Sequence, residues 1–368
     1  MAVILSILFT VLLAICCRGQ AITCRDASQH SVDWWLILKL PHGGQYVYVD
    51  SSYIAGPLGG LEWTLHGDLQ AISHNALAET LQLLYSGEAG YVMYNDEWPN
   101  GTVSSHLAHA KGVLAFGQDG GFWLVHSAPK FPNNPSNGAY TGICCEEFWG
   151  QLLEGQNFMC ITTRPAALND VATLLQLPTL FLYEWLLPPW SIPTYPTMAK
   201  LVSGEFPGLD TQTSQPVTSF GGETFTAFAK ATTPLHSVGL YEDVIEPHFR
   251  AGMEVQSWLN GRNAMPSQCP PTTQYESLNV RHVYVRVANR GWDNTVDHSK
   301  WSVSIPNAHQ NSSWGEGQGA VCFGDMNRME AQLFRGGGAM CFTNNTAVWQ
   351  TFRALIFAIE GCHDEVKS

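Results

Sequence analysis

The sequence predicts an α/β fold built from two halves, and three observations carry the prediction. Short runs rich in Val, Ile and aromatic residues alternate with helically spaced apolar residues. A proline-dense stretch lies near the middle, and a His-x-Lys tripeptide occurs once on each side of it. The alternation argues against an all-β sandwich. In order, the expected strands are Trp34 to Lys39, Tyr46 to Val49, Tyr91 to Tyr94, Gly112 to Phe116, Phe122 to Val125 and His282 to Val287. A helix is expected where Leu77, Leu81, Leu84 and Tyr85 recur at i, i+4, i+7 and i+8, with Ser73 as cap and Gly87 as stop. A second is expected over Val348, Phe352, Leu355, Ile356 and Ile359, ending at Gly361. The run Leu187-Pro188-Pro189-Trp190-Ser191-Ile192-Pro193-Thr194-Tyr195-Pro196 can continue neither a helix nor a central strand. Residues 188–197 are therefore the expected connection between an N-terminal half, 20–187, and a C-terminal half, 198–368.

With 45% hydrophobic and only 13% charged residues, the chain can bury a large core and is no disordered polyampholyte. Its 34 Gly and 20 Pro are too dispersed for collagen or a low-complexity tract. Val3 to Cys17 form an apolar run too short for a comfortable membrane span, followed by Cys17-Arg18-Gly19-Gln20 with small residues at plausible cleavage positions. Residues 1–19 read as a signal peptide, which predicts entry to the secretory pathway. Without Cys16 and Cys17 eight cysteines remain: Cys24, Cys144, Cys145, Cys160, Cys269, Cys322, Cys341 and Cys362. None stands in a C-x-x-C arrangement, so structural disulfides in an oxidising compartment are expected rather than a zinc site. Three sequons, at Asn100, Asn311 and Asn344, would be open to glycosylation there.

The formal charge is −13, from 18 basic and 31 acidic residues, which at neutrality opposes a nucleic-acid partner. The 13 histidines change the balance in acid: fully protonated, they bring −13 to 0 even before any carboxylate takes up a proton. A polyanionic partner is thus far better tolerated near pH 5.

Among the histidines, only His109-Ala110-Lys111 and His298-Ser299-Lys300 carry a lysine two residues on. Chance would give about a quarter of one such tripeptide in this composition. On a strand, i and i+2 face the same way, so each tripeptide sets an imidazole beside an ammonium. Two of them meeting would surround one phosphate. One imidazole can then attack phosphorus, the other can protonate the departing alkoxide, and the lysines offset charge on the non-bridging oxygens.

Taken with Val32-Asp33-Trp34-Trp35, Lys39-Leu40-Pro41, Tyr94-Asn95-Asp96, Gly120-Gly121-Phe122-Trp123-Leu124-Val125-His126-Ser127, Phe131-Pro132, Gly324-Asp325-Met326-Asn327-Arg328 and Arg335-Gly336-Gly337-Gly338, these tripeptides give the chain a specific likeness. It resembles the deoxyribonuclease II family, which paired H-x-K elements tie to the phospholipase D superfamily. The resemblance implies two pseudo-symmetric phospholipase D-like halves, each a mixed β-sheet flanked by helices, sharing one central active site. It further implies an acid-active endonuclease of lysosomes or secretions that hydrolyses DNA to 3′-phosphate and 5′-hydroxyl ends, with no metal ion and no other cofactor. By the same resemblance His109 is the nucleophile that becomes a phosphohistidine, His298 the general acid and then base, and Lys111 and Lys300 the phosphate ligands. In the superfamily a Gly-Ser-x-Asn element follows each H-x-K. Here Asn327 matches its Asn in the second half, and His126 stands where the first half would carry it. These two are supporting candidates, for holding an imidazole tautomer or a phosphate oxygen. The superfamily's aspartate five residues after the lysine is absent, Phe116 standing there in the first half, and Asp119 lies nearby. Disulfides Cys24 to Cys160, Cys269 to Cys362 and Cys322 to Cys341 are also implied, with Cys144 and Cys145 left open.

Two rival readings remain. The quartet recognises a phosphoryl group and not what it is attached to, so a secreted phosphodiesterase on another ester is one. A catalytically inactive secreted binding protein or toxin on the same scaffold is the other. A metal nuclease is disfavoured because Asp50, Asp96, Asp293 and Asp325 are isolated in sequence, with no pair at ligand spacing. Trp34, Trp35 and Trp123 lie in apolar strands and are expected in the core rather than against bases.

Overall fold

A computed structural model describes residues 20–53, 61–143, 151–205, 211–306 and 319–362. The expected signal peptide, Cys144, Cys145 and Asn311 lie outside these residues. The first part of the chain forms β1 (Trp34–Lys39), β2 (Tyr46–Asp50), β3 (Thr64–His66), helix α1 (Ala76–Tyr85), β4 (Gly90–Asn95), β5 (Lys111–Phe116), β6 (Gly121–His126), β7 (Gln156–Thr163), α2 (Pro165–Leu174) and β8 (Leu182–Leu186). Short helices α3 (Ser191–Thr194) and α4 (Pro196–Ser203) fill the proline-rich region, with Pro196 in the first turn, where its missing N–H costs no hydrogen bond. Then come β9 (Gln212–Thr218), β10 (Thr224–Lys230), a π-helical turn leading into α5 (Glu246–Phe249), β11 (Met253–Gln256), β12 (Ser277–Val285), β13 (Arg290–Asp293), β14 (Trp301–Ser304), β15 (Ala320–Gly324), β16 (Gly337–Thr343), α6 (Thr346–Arg353) and β17 (Ile356–Ile359).

The strands make two sheets, ordered β3-β2-β1-β7-β6-β5-β4-β8 and β13-β12-β11-β14-β15-β16-β10-β9, with β17 on β12. Five strands in each share one arrangement: β1-β7-β6-β5-β4 and β10-β16-β15-β14-β11 follow the same chain order. A helical segment follows the first strand of each set (α1; the turn into α5) and another follows the last (α2; α6). The expectation of two mixed sheets needs correction. The strand pairs of the first sheet are all antiparallel, and in the second only β11 and β12 run parallel. The first sheet needs no parallel crossover because tight turns such as that between β5 and β6 reverse the chain directly.

Alternation along the strands builds the layers. Trp34, Leu36 and Leu38 of β1 join Val303, Phe323 and Phe342 of the other sheet in one central core, where Trp34 meets Phe342 edge-on at 5.0 Å. Trp35 and Ile37 face outward against Leu77, Leu81 and Leu84 of α1. Trp123 also lies in the central core, as expected.

Several element boundaries differ from expectation. The cap of α1 is Asn75, whose side chain accepts from the Ala78 N–H at 2.8 Å, and not Ser73; Gly87 follows with φ +79°. The last strand expected ends early, since 286–288 turn as a 3₁₀ helix. The C-terminal helix stops at Arg353, and Ile356–Ile359 pair with β12 as a strand. Disulfides join Cys24 to Cys160, Cys269 to Cys362 and Cys322 to Cys341, the last between directly opposed residues of β15 and β16. Among the described residues no helix is long and apolar enough to cross a membrane.

Candidate active site

Both H-x-K tripeptides lie where chain enters the third strand of a five-strand set. Lys111 opens β5, and His298 to Lys300 immediately precede β14. Only Lys111 is therefore within a strand; the imidazoles sit on the extended approach, where their backbone groups bond to the opposite half. The His109 N–H donates to the Gly336 carbonyl at 2.8 Å, and the His298 N–H to the Gly155 carbonyl at 2.9 Å. The Lys300 N–H donates to Asn157 Oδ1 at 2.8 Å. Each half thus holds the other's tripeptide, which fixes the two relative to one another.

His109 Nδ1 lies 2.6 Å from the backbone oxygen of Asp325. A carbonyl can only accept, so Nδ1 carries the proton and Nε2 keeps its lone pair. Burial pushes the imidazole well below its ordinary pKa; Asp96 counters this, while Lys111, Lys300 and Arg335 add to it. His109 Nε2 is 3.9 Å from Asp96 Oδ2.

Asp96, placed just after β4, is the hub of the first half. Its Oδ1 contacts the Lys111 ammonium and its Oδ2 takes the Arg335 guanidinium at 2.8 Å. Burial would push the carboxyl up, but Lys111, His109 and Arg335 hold it well below the usual carboxylate range. Arg335 also donates to the carbonyls of Leu107 and Ser104 at 2.8 and 3.0 Å, tying the approach to His109 onto the second half.

In the second half the Lys300 ammonium donates to the His298 carbonyl at 2.6 Å, and the Trp258 ring stands edge-on to the His298 imidazole, centroids 4.7 Å apart. Burial, then Lys300, Lys111 and Lys39, lower His298 to about 3; burial and Lys111 lower Lys300 to about 7. Lys111 acts on both groups across the boundary, so all four tripeptide side chains share one electrostatic environment. The Asp325 carboxyl accepts from the Gly338 N–H at 3.0 Å. Burial raises it to about 7, against the pull of Gly338, Lys111 and Lys300.

The supporting candidates lie apart from the imidazoles. Asn327 Oδ1 accepts from the Trp258 backbone N–H at 3.1 Å, and so holds the residue whose ring faces His298. His126 is buried between Phe131 and Phe158, and burial followed by Lys111 lowers it to about 3. The aspartates read as isolated also need correction: Asp96 and Asp325 belong to this cluster, bonded to cations and backbone N–H groups, whereas Asp293 is on the surface.

A family model described as deoxyribonuclease II matches residues 23–362, which contain the whole of this cluster. The chain belongs to the deoxyribonuclease II family. It is similar to cell death-related nuclease 6 of Caenorhabditis elegans, 31% identical over 352 residues covering 90% of this chain and 87% of the relative. It is also 30% identical to deoxyribonuclease-2-alpha of Rattus norvegicus, covering 94% and 95%, and to plancitoxin-1 of Acanthaster planci, covering 94% and 93%. Within this cluster, Asp96, Asp325, Arg335, Gly155 and Gly336 are the residues that pattern reading gave no role. Asp96, Asp325, Arg335 and Gly336 stood in the motifs that carry the resemblance, but nothing in their spacing shows that they meet.

Proposed function

We propose that this deoxyribonuclease II family member is an acid endodeoxyribonuclease that cleaves DNA to 3′-phosphate and 5′-hydroxyl ends through a phosphohistidine, with His109 as nucleophile. The observation that carries this reading is the hydrogen bond from His109 Nδ1 to the Asp325 carbonyl, which leaves a neutral imidazole with its Nε2 lone pair available. Nε2 attacks phosphorus, the P–O5′ bond breaks, and the 5′ oxygen takes the proton of His298. Water then gives that proton back to His298 as its hydroxyl displaces His109, and the 3′-phosphate leaves. Lys111 and Lys300 offset charge on the non-bridging oxygens, so the step needs no metal.

Burial first, and then the cations Lys300, Lys111 and Lys39, hold His298 at about 3. A phosphodiester anion among them reverses the sign of that field, so the acid proton arrives with the substrate. The acid preference has a matching cause: below pH 7 Lys300 is charged and Asp325 neutral, the combination that receives an anion. Asn327 supports His298 by holding the Trp258 backbone N–H.

The repeated five-strand order and the reciprocal His109 to Gly336 and His298 to Gly155 bonds support reading the halves, 20–187 and 198–368, as phospholipase D-like and pseudo-symmetric around one site. Three disulfides fit a secretory chain destined for a lysosome or the exterior. Asn100 and Asn344 are exposed, as N-glycan acceptors must be. Incubating purified protein with plasmid DNA at pH 5 in EDTA, followed by end-group analysis, tests the reading. Cleavage leaving 3′-phosphates is expected; an optimum above neutrality, full dependence on magnesium or 5′-phosphate ends would contradict it.

A further inference from the structure

Two lysines outside the quartet are as deeply buried as any group in the protein. Lys39 ends β1 and is 1% exposed; Lys230 ends β10 and is 0% exposed. A buried ammonium is costly unless its donors are used. Here both are saturated in the same unusual way, by three backbone carbonyls each. Lys39 Nζ donates to Leu40, Gly43 and Leu152 at 2.8, 2.9 and 3.0 Å. Lys230 Nζ donates to Leu333 and Gln332 at 3.1 and 3.2 Å, and to Arg335. Among the described residues neither forms an ion pair.

Their places correspond. β1 and β10 are the first strands of the two five-strand sets, and each lies beside the fifth, β7 or β16. The carbonyls that each lysine gathers from a distance belong to the loop entering that fifth strand: Leu152 ahead of β7, and Gln332, Leu333 and Arg335 ahead of β16. Each loop ends in a glycine whose carbonyl accepts from an H-x-K imidazole residue of the other half, Gly155 from His298 and Gly336 from His109. Neither glycine has room for a side chain. A Cβ at Gly155 would lie 2.4 Å from Asp297 Oδ1, and one at Gly336 would lie 2.0 Å from the Pro178 oxygen.

We propose that Lys39 and Lys230 are positioning residues for the two histidines: Lys39 fixes the loop that holds His298, and Lys230 fixes the loop that holds His109. This rests on the roles proposed above for those histidines, and it gives the two lysines different kinetic signatures. Misplacing the acid slows expulsion of a poor leaving group and the later hydrolysis of the adduct, but not the first release of a leaving group that needs no proton. Misplacing the nucleophile slows attack whatever the leaving group. A lysine that merely stabilises the fold would leave both reactions of the folded variant unchanged.

The test compares Lys39→Gln and Lys230→Gln with His298→Ala and His109→Ala on two substrates, plasmid DNA and thymidine 3′-(4-nitrophenyl phosphate), after thermal melting confirms folding. A displacement on the ångström scale at a reacting group costs on the order of a hundredfold in rate. Lys39→Gln should lose about that factor in kcat on DNA and less than about threefold in the rate of the first-turnover burst of nitrophenol, while Lys230→Gln should lose about a hundredfold in both. Should a Gln variant fail to fold, Gly155→Ala and Gly336→Ala displace the same loops from the other side and should divide in the same way. If the histidine variants divide as expected but folded Lys39→Gln or Gly155→Ala loses the nitrophenol burst as fully as DNA cleavage, or folded Lys230→Gln or Gly336→Ala keeps either, the positioning role is wrong and the site reading stands. If His298→Ala loses the nitrophenol burst as fully as DNA cleavage, the reading of the site fails, and this inference with it.

Discussion

Replacing Asp325 by Asn should reshape the alkaline limb of the pH–activity profile without harming the enzyme in acid. Burial raises the Asp325 carboxyl to about 7 and lowers the Lys300 ammonium to about 7. At pH 5 the first is neutral and the second charged; as pH rises through 7, the first gains a negative charge and the second loses its positive one. Both changes oppose a phosphate. With each group required in its acid form, activity falls about a hundredfold per pH unit on the alkaline side, tenfold for each proton lost. Asn reproduces the neutral carboxyl and keeps an oxygen for the Gly338 N–H, which now sits 3.0 Å from Asp325 Oδ2. The variant should therefore match wild type within about threefold at pH 5, fall only about tenfold per pH unit, and exceed wild type by roughly tenfold at pH 8. Because the Asp325 carboxylate also supports the charge on Lys300, the midpoint of the remaining limb moves slightly toward acid. Initial rates of plasmid nicking from pH 4 to 9 at constant ionic strength measure it. A folded variant that is inactive at pH 5, or an unchanged alkaline slope, would refute the reasoning.

Other outcomes follow from the same geometry. Lys111→Ala and Lys300→Ala should each lower kcat by roughly two to three orders of magnitude, the scale for removing one charge stabiliser from a transition state, as read from nicking rates at pH 5. Asp96→Asn breaks a buried cluster with Lys111 and Arg335 and should cost about 3–5 kcal/mol in urea unfolding, since it leaves two cations without their carboxylate. Replacing Cys322 and Cys341 together by Ala opens a bridge between residues 19 apart and should cost about 3 kcal/mol of stability. A non-reducing peptide map that finds Cys322 joined elsewhere would contradict the pairing.

The fold and the site were legible in the sequence to different depths. Trp34–Lys39 can be read to the residue because five apolar or aromatic positions and Lys39 end at a turn before Gly43 and Gly44. The C-terminal segment could not be read so, because Phe352, Leu355, Ile356 and Ile359 keep a helical spacing across a change of structure. Only pairing with β12 shows that the last four residues of that run are a strand. Strand direction in the first sheet is likewise set by partners distant in sequence, as when β1 lies against β7. At the site, an imidazole and an ammonium two residues apart announce themselves. Gly155, Gly336, Asp96, Asp325 and Arg335 do not: His109 meets the Asp325 carbonyl across 216 residues, and Arg335 meets Asp96 across 239. Two of these contribute only a backbone carbonyl, which any residue possesses, so their identity as glycine reflects space rather than chemistry.

The central claim is that one half supplies the nucleophile and the other the acid. Acid-quenched mass spectrometry of His298→Ala, turning over thymidine 3′-(4-nitrophenyl phosphate), tests it most directly. That leaving group needs no acid, and loss of His298 also slows hydrolysis of the adduct, so phosphoenzyme should accumulate on the peptide containing His109. The double variant with His109→Ala should form none. A phosphopeptide containing His298 in the wild-type protein, or no His109 adduct in the variant while it still turns over, would contradict the account.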